Sequence, residues 1–321
     1  MAKKPLRVGI VMDPIESITP YKDSSLAMLL EAERREAEIH YFNQADLKIV
    51  SGTALGRSRR LNVEDSRTNW WRFGEEQEIA LGDLDVILMR KDPPFDMEYI
   101  YTTYILDRAK HAGALIMNDP EALRNMNEKA YTAWFPDCVP ATLITRSMDE
   151  MRAFLAEHGH AVIKPLGGMG GRSIFVIRQG DKNANVVFET LTDYGRQFAM
   201  AQTYIPEISL GDKRILLFDG EPVPYALARI PSDEDNRGNL VMGAVGKGQP
   251  LSDRDREICA RVGPALRDGG VIFAGIDVIG DYLTEVNVTS PTGMREIDEQ
   301  FDLNTAGLMF DAIERRLGRN G

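Results

Sequence analysis

Apolar residues in the first third of the chain come in short unbroken runs. Leu6-Arg-Val-Gly-Ile-Val-Met12 and Leu84-Asp-Val-Ile-Leu-Met89 each read as a strand buried on both faces, the form strands take in a parallel sheet. Between them, Asp23-Ser-Ser25 offers a side-chain cap to a helix running to about Ala37, with Leu26, Leu29 and Leu30 forming its apolar stripe and Glu33 its polar edge. Glu38 to Phe42 is a further short strand, and a helix from Asp96 to Ala112 precedes a strand at Ala114 to Met117. This alternation through residue 118 predicts a small doubly wound α/β lobe. Residues 46 to 80 are less regular: Arg57, Arg59 and Arg60 fall in a hairpin, and Trp70-Trp71-Arg72-Phe73 in an aromatic strand or turn.

Beyond residue 118 the pattern predicts two α+β lobes. One spans 119–195, with strands at Ala141 to Thr145, Ala161 to Pro165 and Ile174 to Arg178, and helices at Met148 to Glu157 and Asn185 to Tyr194. The other, 196–321, is richer in sheet. It holds Ala199 to Ile205, a hairpin from Lys213 to Ile230 turning at Asp219-Gly220, two closing strands within Val271 to Val288, and helices near 252–268 and 303–317. The predicted domains are therefore 1–118, 119–195 and 196–321, in an α/β (α+β) chain.

Composition narrows the function classes. At 321 residues the chain exceeds the size at which one core keeps growing, so lobes with a cleft between them are expected. A net charge of -11 without a concentrated basic face argues against nucleic acid, while a few Lys and Arg in a water-excluding cleft would still hold ATP. No apolar run approaches ~18 residues, so no membrane span and a cytoplasmic location are expected. Cys138 and Cys259 are isolated, and His40, His111, His158 and His160 lack metal-ligand spacing, which points away from disulfides and zinc.

Five segments carry candidate chemistry. Lys164-Pro-Leu-Gly167-Gly168-Met169-Gly170-Gly171 lies between two strands. Its glycines let backbone N–H groups approach phosphate oxygens, with Lys164 adding a point charge; no Gly-Lys-Ser/Thr closes it, so it is not a Walker A loop. Glu285 and Asn287, two apart on a strand, share a face and offer oxygens suited to Mg²⁺. Asp277 joins them only if the hairpin has a three-residue loop or a compensating bulge, because a plain Gly280-Asp281 loop pairs 277 with 284. Arg214 and Arg229 are brought together by the Asp219-Gly220 hairpin, where they would stabilise charge on a transferring phosphoryl group. Arg90 and Asp92 follow the third strand beside Pro93-Pro94, at the sheet edge where open α/β sheets place ligands. The polar, glycine-rich stretch between Pro231 and Gln249, with Arg237, reads as a lid. The first strand and turn, Val8-Gly-Ile-Val-Met-Asp13, lack the glycine fingerprint of a dinucleotide site, against a dehydrogenase.

Taken together, Val11-Met-Asp-Pro14, Leu88-Met-Arg-Lys-Asp-Pro-Pro-Phe95, Asn127-Glu-Lys129, Lys164-Pro-Leu with Gly168-Met-Gly-Gly171, Gly211-Asp-Lys-Arg214, Arg229-Ile-Pro231 with Arg237-Gly-Asn239, and Thr284-Glu-Val-Asn-Val-Thr-Ser-Pro291 resemble the bacterial glutathione synthetases, members of the ATP-grasp superfamily. The resemblance covers almost the whole chain; Gly167 departs from it, where the family more often carries a side chain such as Asp. It implies ligation of γ-glutamylcysteine and glycine through an acyl phosphate, driven by ATP with Mg²⁺ or Mn²⁺, in a homo-oligomer, commonly a tetramer. It also implies that Lys129, Lys164, Gly168, Met169, Gly170 and Gly171 hold ATP phosphates and that Gln202, Tyr204 and Ile205 line the adenine pocket. Asp212 would touch ribose, and Asp277, Glu285 and Asn287 would bind metal. Arg214 and Arg229 would hold the acyl phosphate, with Arg237 closing over it, while Asp13, Arg90, Asp92, Ser290, Pro291 and Thr292 would contact substrate. Another ATP-grasp ligase, such as a D-alanine ligase or a glutamate-adding enzyme, is the nearest rival, and a nucleotide-binding regulatory module the rival from outside the enzymes.

Overall fold

The computed structural model describes residues 4–168, 172–230 and 245–319. The first layer contains β1 (Arg7–Val11), α1 (Ser24–Arg34), β2 (Glu38–Phe42), β3 (Leu47–Val50), β4 (Thr53–Val63), β5 (Trp71–Ala80), β6 (Val86–Met89), α2 (Met97–His111) and β7 (Leu115–Met117). Strands β2, β1, β6 and β7 are parallel neighbours, and β4 continues the sheet antiparallel to β2, carrying β3 and β5. Residues 46 to 80, irregular in pattern, thus supply three strands. Their alternation is obscured because β5 is solvent-exposed along most of its length.

The parallel strands are apolar on both faces because helices cover both. Val8, Ile10 and Leu88 pack with Leu26, Met28 and Leu29 of α1. Val11, Ile87 and Met89 pack with Tyr99, Leu106 and Ala109 of α2. Asp23 caps α1 by accepting from the Leu26 N–H at 2.7 Å, and Asp96 caps α2 by accepting from the Tyr99 N–H at 3.0 Å.

After α3 (Pro120–Asn125), the second layer comprises β8 (Thr142–Thr145), α4 (Met148–His158), β9 (His160–Pro165), β10 (Phe175–Arg178), α5 (Ala184–Thr192) and β11 (Ala199–Thr203), in the order β10-β9-β11-β8. Here the structure differs from the pattern reading, which grouped 199–205 with the C-terminal strands. β11 pairs with β9 and β8, and its buried Ala199 and Ala201 pack with Met151 and Phe188 of α4 and α5. The sheet of the second layer therefore runs through Thr203.

The third layer has β12 (Asp212–Phe218), β13 (Glu221–Ile230), β14 (Val245–Pro250), α6 (Asp253–Asp268), β15 (Phe273–Ile279), β16 (Tyr282–Asn287), α7 (Met294–Phe301) and α8 (Thr305–Arg316). Its sheet is antiparallel with order β14-β13-β12-β15-β16. This layer shares its core with the first: Ile215, Val262 and Ile276 join the α2 side, and Phe273, Met309 and Phe310 the α1 side. The side chain of Asn118, just past β7, strengthens that junction with donated bonds to the Phe273 and Val288 carbonyls and accepted ones from the Ile272 and Phe273 N–H groups. Among the described residues no helix is long and apolar enough to cross a membrane.

Candidate active site

The β15–β16 hairpin sets the first part of the site. Gly280 and Asp281 form its loop, and Ile279 pairs with Tyr282. A bulge then leaves Thr284 without a cross-strand partner, so that Asp277 faces Glu285 and Gly275 faces Asn287. The compensating bulge, rather than the three-residue loop, is what brings all three side chains to one face. Thr284 closes the bulge by donating its hydroxyl to the Asp277 carbonyl at 3.1 Å.

Strand β12 brings in the arginines, because it pairs with β15 on one side and β13 on the other. Arg214 stands opposite Asp277, and Asp212 opposite Arg229. The Arg214 guanidinium donates to both Asp277 oxygens, with Nη2 to Oδ2 at 2.9 Å, and Arg229 Nη2 reaches the same Oδ2 at 2.9 Å. Burial works to raise the Asp277 carboxyl, but the two guanidiniums outweigh it and hold it well below the usual carboxylate range. Asp212 also pairs with Arg229, yet burial and the neighbouring Asp277 push it up to about 7. Asp212 Oδ1 and Arg229 Nε are buried without a partner among the described residues.

Two lysines approach from the other direction. Lys164, on β9, is buried with Nζ 3.4 Å from the Thr284 carbonyl and 4.0 Å from Glu285. Lys129 Nζ lies 3.7 Å from Glu285 and donates to the Gly168 carbonyl at 2.7 Å. Burial lowers the pKa of Lys164, whereas in Lys129 the opposite effect of Glu285 and Glu128 overcomes burial and raises it. Asn127 Nδ2 donates to the Leu166 carbonyl, so the 127–129 segment anchors the start of the glycine-rich stretch.

Glu128 was given no role by the sequence. Its side chain pairs with Lys129 and its carbonyl accepts from the Val286 N–H at 2.7 Å; burial, then the charge of Glu285, pushes its carboxyl up to about 7. An acid placed directly before a candidate phosphate lysine was the available signal.

These groups line one cavity of about 320 Å³. Its opposite end is an apolar slot of Val162, Ile174, Val176, Ile205, Ile208 and Ile279, with Gln202 and Tyr204 at the edge. The Tyr204 ring stacks on His160 with centroids 4.0 Å apart, and Gln202 Nε2 donates to Thr142 Oγ1 at 3.0 Å. The cavity thus joins an apolar lining to a cluster of cations and carboxylates. Asp92, Ser290, Pro291 and Thr292 form the remaining wall, and Gly168 lines the same space as Glu285 and Asn287.

Two expected substrate contacts do not line this cavity. Asp13 sits behind Asp92, accepting from its N–H at 3.0 Å and pairing with Lys91 Nζ at 3.0 Å. Arg90 is buried, its guanidinium bonded to Ser25 and to the Pro291 carbonyl. Asp13 is held within the first layer by Lys91 and the Asp92 N–H, while Arg90 is turned onto the Pro291 carbonyl of the third layer. Met169, Gly170, Gly171 and Arg237 lie outside the described residues.

For a divalent ion, Glu285 and Asn287 are the free oxygen donors, while Asp277 has its oxygens engaged by arginine. Among the described residues no three His, Cys, Asp or Glu side chains are grouped to hold a metal by themselves. The donor set of hard oxygens therefore fits Mg²⁺ or Mn²⁺ with phosphate oxygens completing the shell.

Residues 6–124 match the family model described as prokaryotic glutathione synthetase, N-terminal domain, and residues 128–302 match prokaryotic glutathione synthetase, ATP-grasp domain. The chain is 55% identical over 314 residues to a glutathione synthetase of Salmonella typhimurium, covering 98% of this chain and 100% of that one. To the glutathione synthetase of Vibrio parahaemolyticus it is 54% identical over 312 residues, covering 97% and 99%. Among solved structures, D-cycloserine synthetase DcsG superposes with a TM-score of 0.67 at 14% identity, covering 97% of this chain and 99% of that one. D-alanyl-alanine synthetase A from Vibrio cholerae gives 0.61 at 11% identity, covering 99% and 100%.

Proposed function

The chain belongs to the prokaryotic glutathione synthetase family, with the ATP-grasp fold, and we propose that the cavity between its second and third layers is where its ligase chemistry takes place. The enzyme is an ATP-dependent carboxylate-amine ligase that makes glutathione.

In the proposed mechanism the cysteinyl carboxylate of γ-glutamylcysteine attacks the γ-phosphorus of ATP, and the bond to the ADP oxygen breaks. The neutral glycine amine then attacks the acyl carbon, phosphate leaves, and the nitrogen loses one proton, keeping the other in the new amide. Gln202, Tyr204 and Ile205 would hold the adenine, Asp212 the ribose, and Lys129, Lys164 and the Gly168 backbone the phosphates. Arg214 and Arg229, already fixed on Asp277, would face the acyl phosphate with little reorganisation, the condition under which such groups stabilise developing charge most. Glu285 and Asn287 would hold Mg²⁺ or Mn²⁺, which when bound neutralises charge on the phosphates, while Asp277, expected as a third ligand, has both oxygens engaged by Arg214 and Arg229 and would hold those arginines instead. Asp92, Ser290, Pro291 and Thr292 would contact the dipeptide.

The observation that carries this reading is the convergence of Arg214, Arg229, Lys129 and Lys164 on Asp277 and Glu285 inside one cavity. It is tested by ADP release with γ-glutamylcysteine, glycine and ATP, with and without chelator. Turnover should need all three substrates and a divalent ion; turnover in excess chelator would remove the metal from the proposal, and turnover only with D-alanine would transfer the site to the rival ligase.

A homo-oligomer, with a tetramer favoured, is also proposed. It is supported by Met97, Tyr101 and Tyr104, exposed at helical spacing on α2, near the exposed Ile49 and Val50 of β3. Light scattering of the purified chain tests it, and a monomer at micromolar concentration would refute it.

A further inference from the structure

Lys129 is buried, and three acceptors stand around its ammonium: the Glu128 carboxylate, the Gly168 carbonyl at 2.7 Å and, out of bonding reach at 3.7 Å, Glu285. The lysine is thus bonded to the first two and held off the third. That separation matters for a divalent ion. An ammonium is a point charge on a flexible stem, and contact with Glu285 would occupy a donor oxygen and set a like charge beside the ion.

Glu128 is placed to prevent this. Its side chain lines the same cavity and, among the described residues, has Lys129 as its one partner. Its backbone is fixed to the strand that carries Glu285 and Asn287. β16 is the outer strand of its sheet, and Val286, between those two residues, donates its N–H to the Glu128 carbonyl at 2.7 Å. Asn127 Oδ1 accepts from the Lys129 and Ala130 N–H groups at 3.1 and 2.9 Å, which holds the turn from which both side chains start. The Glu128 carboxylate therefore competes with Glu285 for Lys129 from a fixed origin.

We infer that Glu128 is a positioning residue for the metal site: by holding Lys129 together with the Gly168 carbonyl it leaves Glu285 free for a divalent ion, without being a ligand of that ion. The inference rests on the proposed reading of Glu285 and Asn287 as the ion's protein donors.

The test is Mn²⁺ binding, followed by electron paramagnetic resonance, to the full-length chain saturated with the β,γ-imido analogue of ATP. Glu128→Gln should raise the Mn²⁺ Kd about tenfold or more, the size of effect that follows loss of a group orienting a ligand. An unchanged Kd overturns the inference. Lys129→Met separates an effect through the lysine from a direct effect of the Glu128 charge. In that background Glu128→Gln should move the Mn²⁺ Kd by less than about twofold, because no ammonium remains to close on Glu285. A rise of the same size in both backgrounds shows Glu128 acting on the ion itself or on the fold at large, and overturns the inference. Should Glu128→Gln fail to fold in urea titrations, Glu128→Asp, whose shorter arm reaches Lys129 less well, takes its place: a smaller rise that Lys129→Met again abolishes is expected, and no rise overturns it. Glu285→Gln keeps the two claims apart. Wild-type Mn²⁺ affinity in Glu285→Gln removes the metal reading and the inference with it, whereas lost affinity there with none lost in Glu128→Gln leaves Glu285 as a ligand and removes Glu128 alone.

Discussion

Asp277 and Glu285 face each other as a cross-strand pair, yet among the described residues their counter-ions are divided by type: Asp277 is held by Arg214 and Arg229, and Glu285 pairs with Lys129 and Lys164. The arginine side is bonded and buried, and the lysine side is loose, at 3.7 and 4.0 Å, with Glu285 21% exposed. A fixed half and an adaptable half suit a site that must keep its transition-state groups rigid while admitting phosphates and metal.

Asp277→Asn should cost both stability and activity. It leaves the buried Arg214 without its carboxylate and Arg229 with Asp212 alone, a loss of about 3–5 kcal/mol for a broken buried pair. Urea denaturation and steady-state turnover check it; a variant as stable as the wild type would mean that Asp277 is not what holds the arginines.

Glu285→Gln should behave differently, because this side chain fills no core position. Unfolding free energy should change by no more than about 1 kcal/mol while kcat falls about a hundredfold or more, from the loss of metal-binding charge. Near-normal turnover with the usual metal requirement would count against Glu285 as a ligand.

Lys164→Met removes a buried ammonium whose charge is already disfavoured by burial. Thermal stability should hold or rise, as it does when buried charge is replaced by apolar atoms of similar volume, while ATP binding weakens about tenfold or more. Titration calorimetry with ATP measures the second part, and undiminished affinity would exclude Lys164 from the phosphate site.

Gly275→Ala places a methyl 2.8 Å from Arg214 Cδ and 3.0 Å from Pro291 Cβ. Overpacking of this kind costs about 1–3 kcal/mol, and displacing Arg214 should lower kcat more than it raises the ATP KM. Wild-type kcat in this variant would show that the arginine tolerates displacement.

Glu31 gives the pH test. Burial works to raise its carboxyl, but bonds from Arg34, Arg35 and Asn304 bring it down to about 2 from 4.5. A depressed folded-state pKa gives stability that is present above 4.5 and lost as pH falls from there toward 2, amounting to about 3 kcal/mol at most. Glu31→Gln should therefore be less stable than wild type at pH 7, with the gap closing below pH 4.5. A gap independent of pH in urea titrations would mean the bonds contribute no proton-linked stability.

The sequence by itself determined the elements whose periodicity is strong and local: the buried parallel strands around Ile10 and Leu88, the capped helices after Asp23 and Asp96, and the hairpin at Asp219-Gly220. It also put Glu285 and Asn287 on one face, because alternation along a strand needs no knowledge of its partners. Tertiary structure alone decided which neighbour a short strand takes, as with β11, since Ala199 and Ala201 would suit either sheet and only burial against Met151 and Phe188 selects one. It chose between loop and bulge at Thr284, and so brought Asp277 onto the face of Glu285. It also turned Arg90 inward, onto a carbonyl 201 residues away, a contact no local pattern encodes because it arises only when the first and third layers share a core.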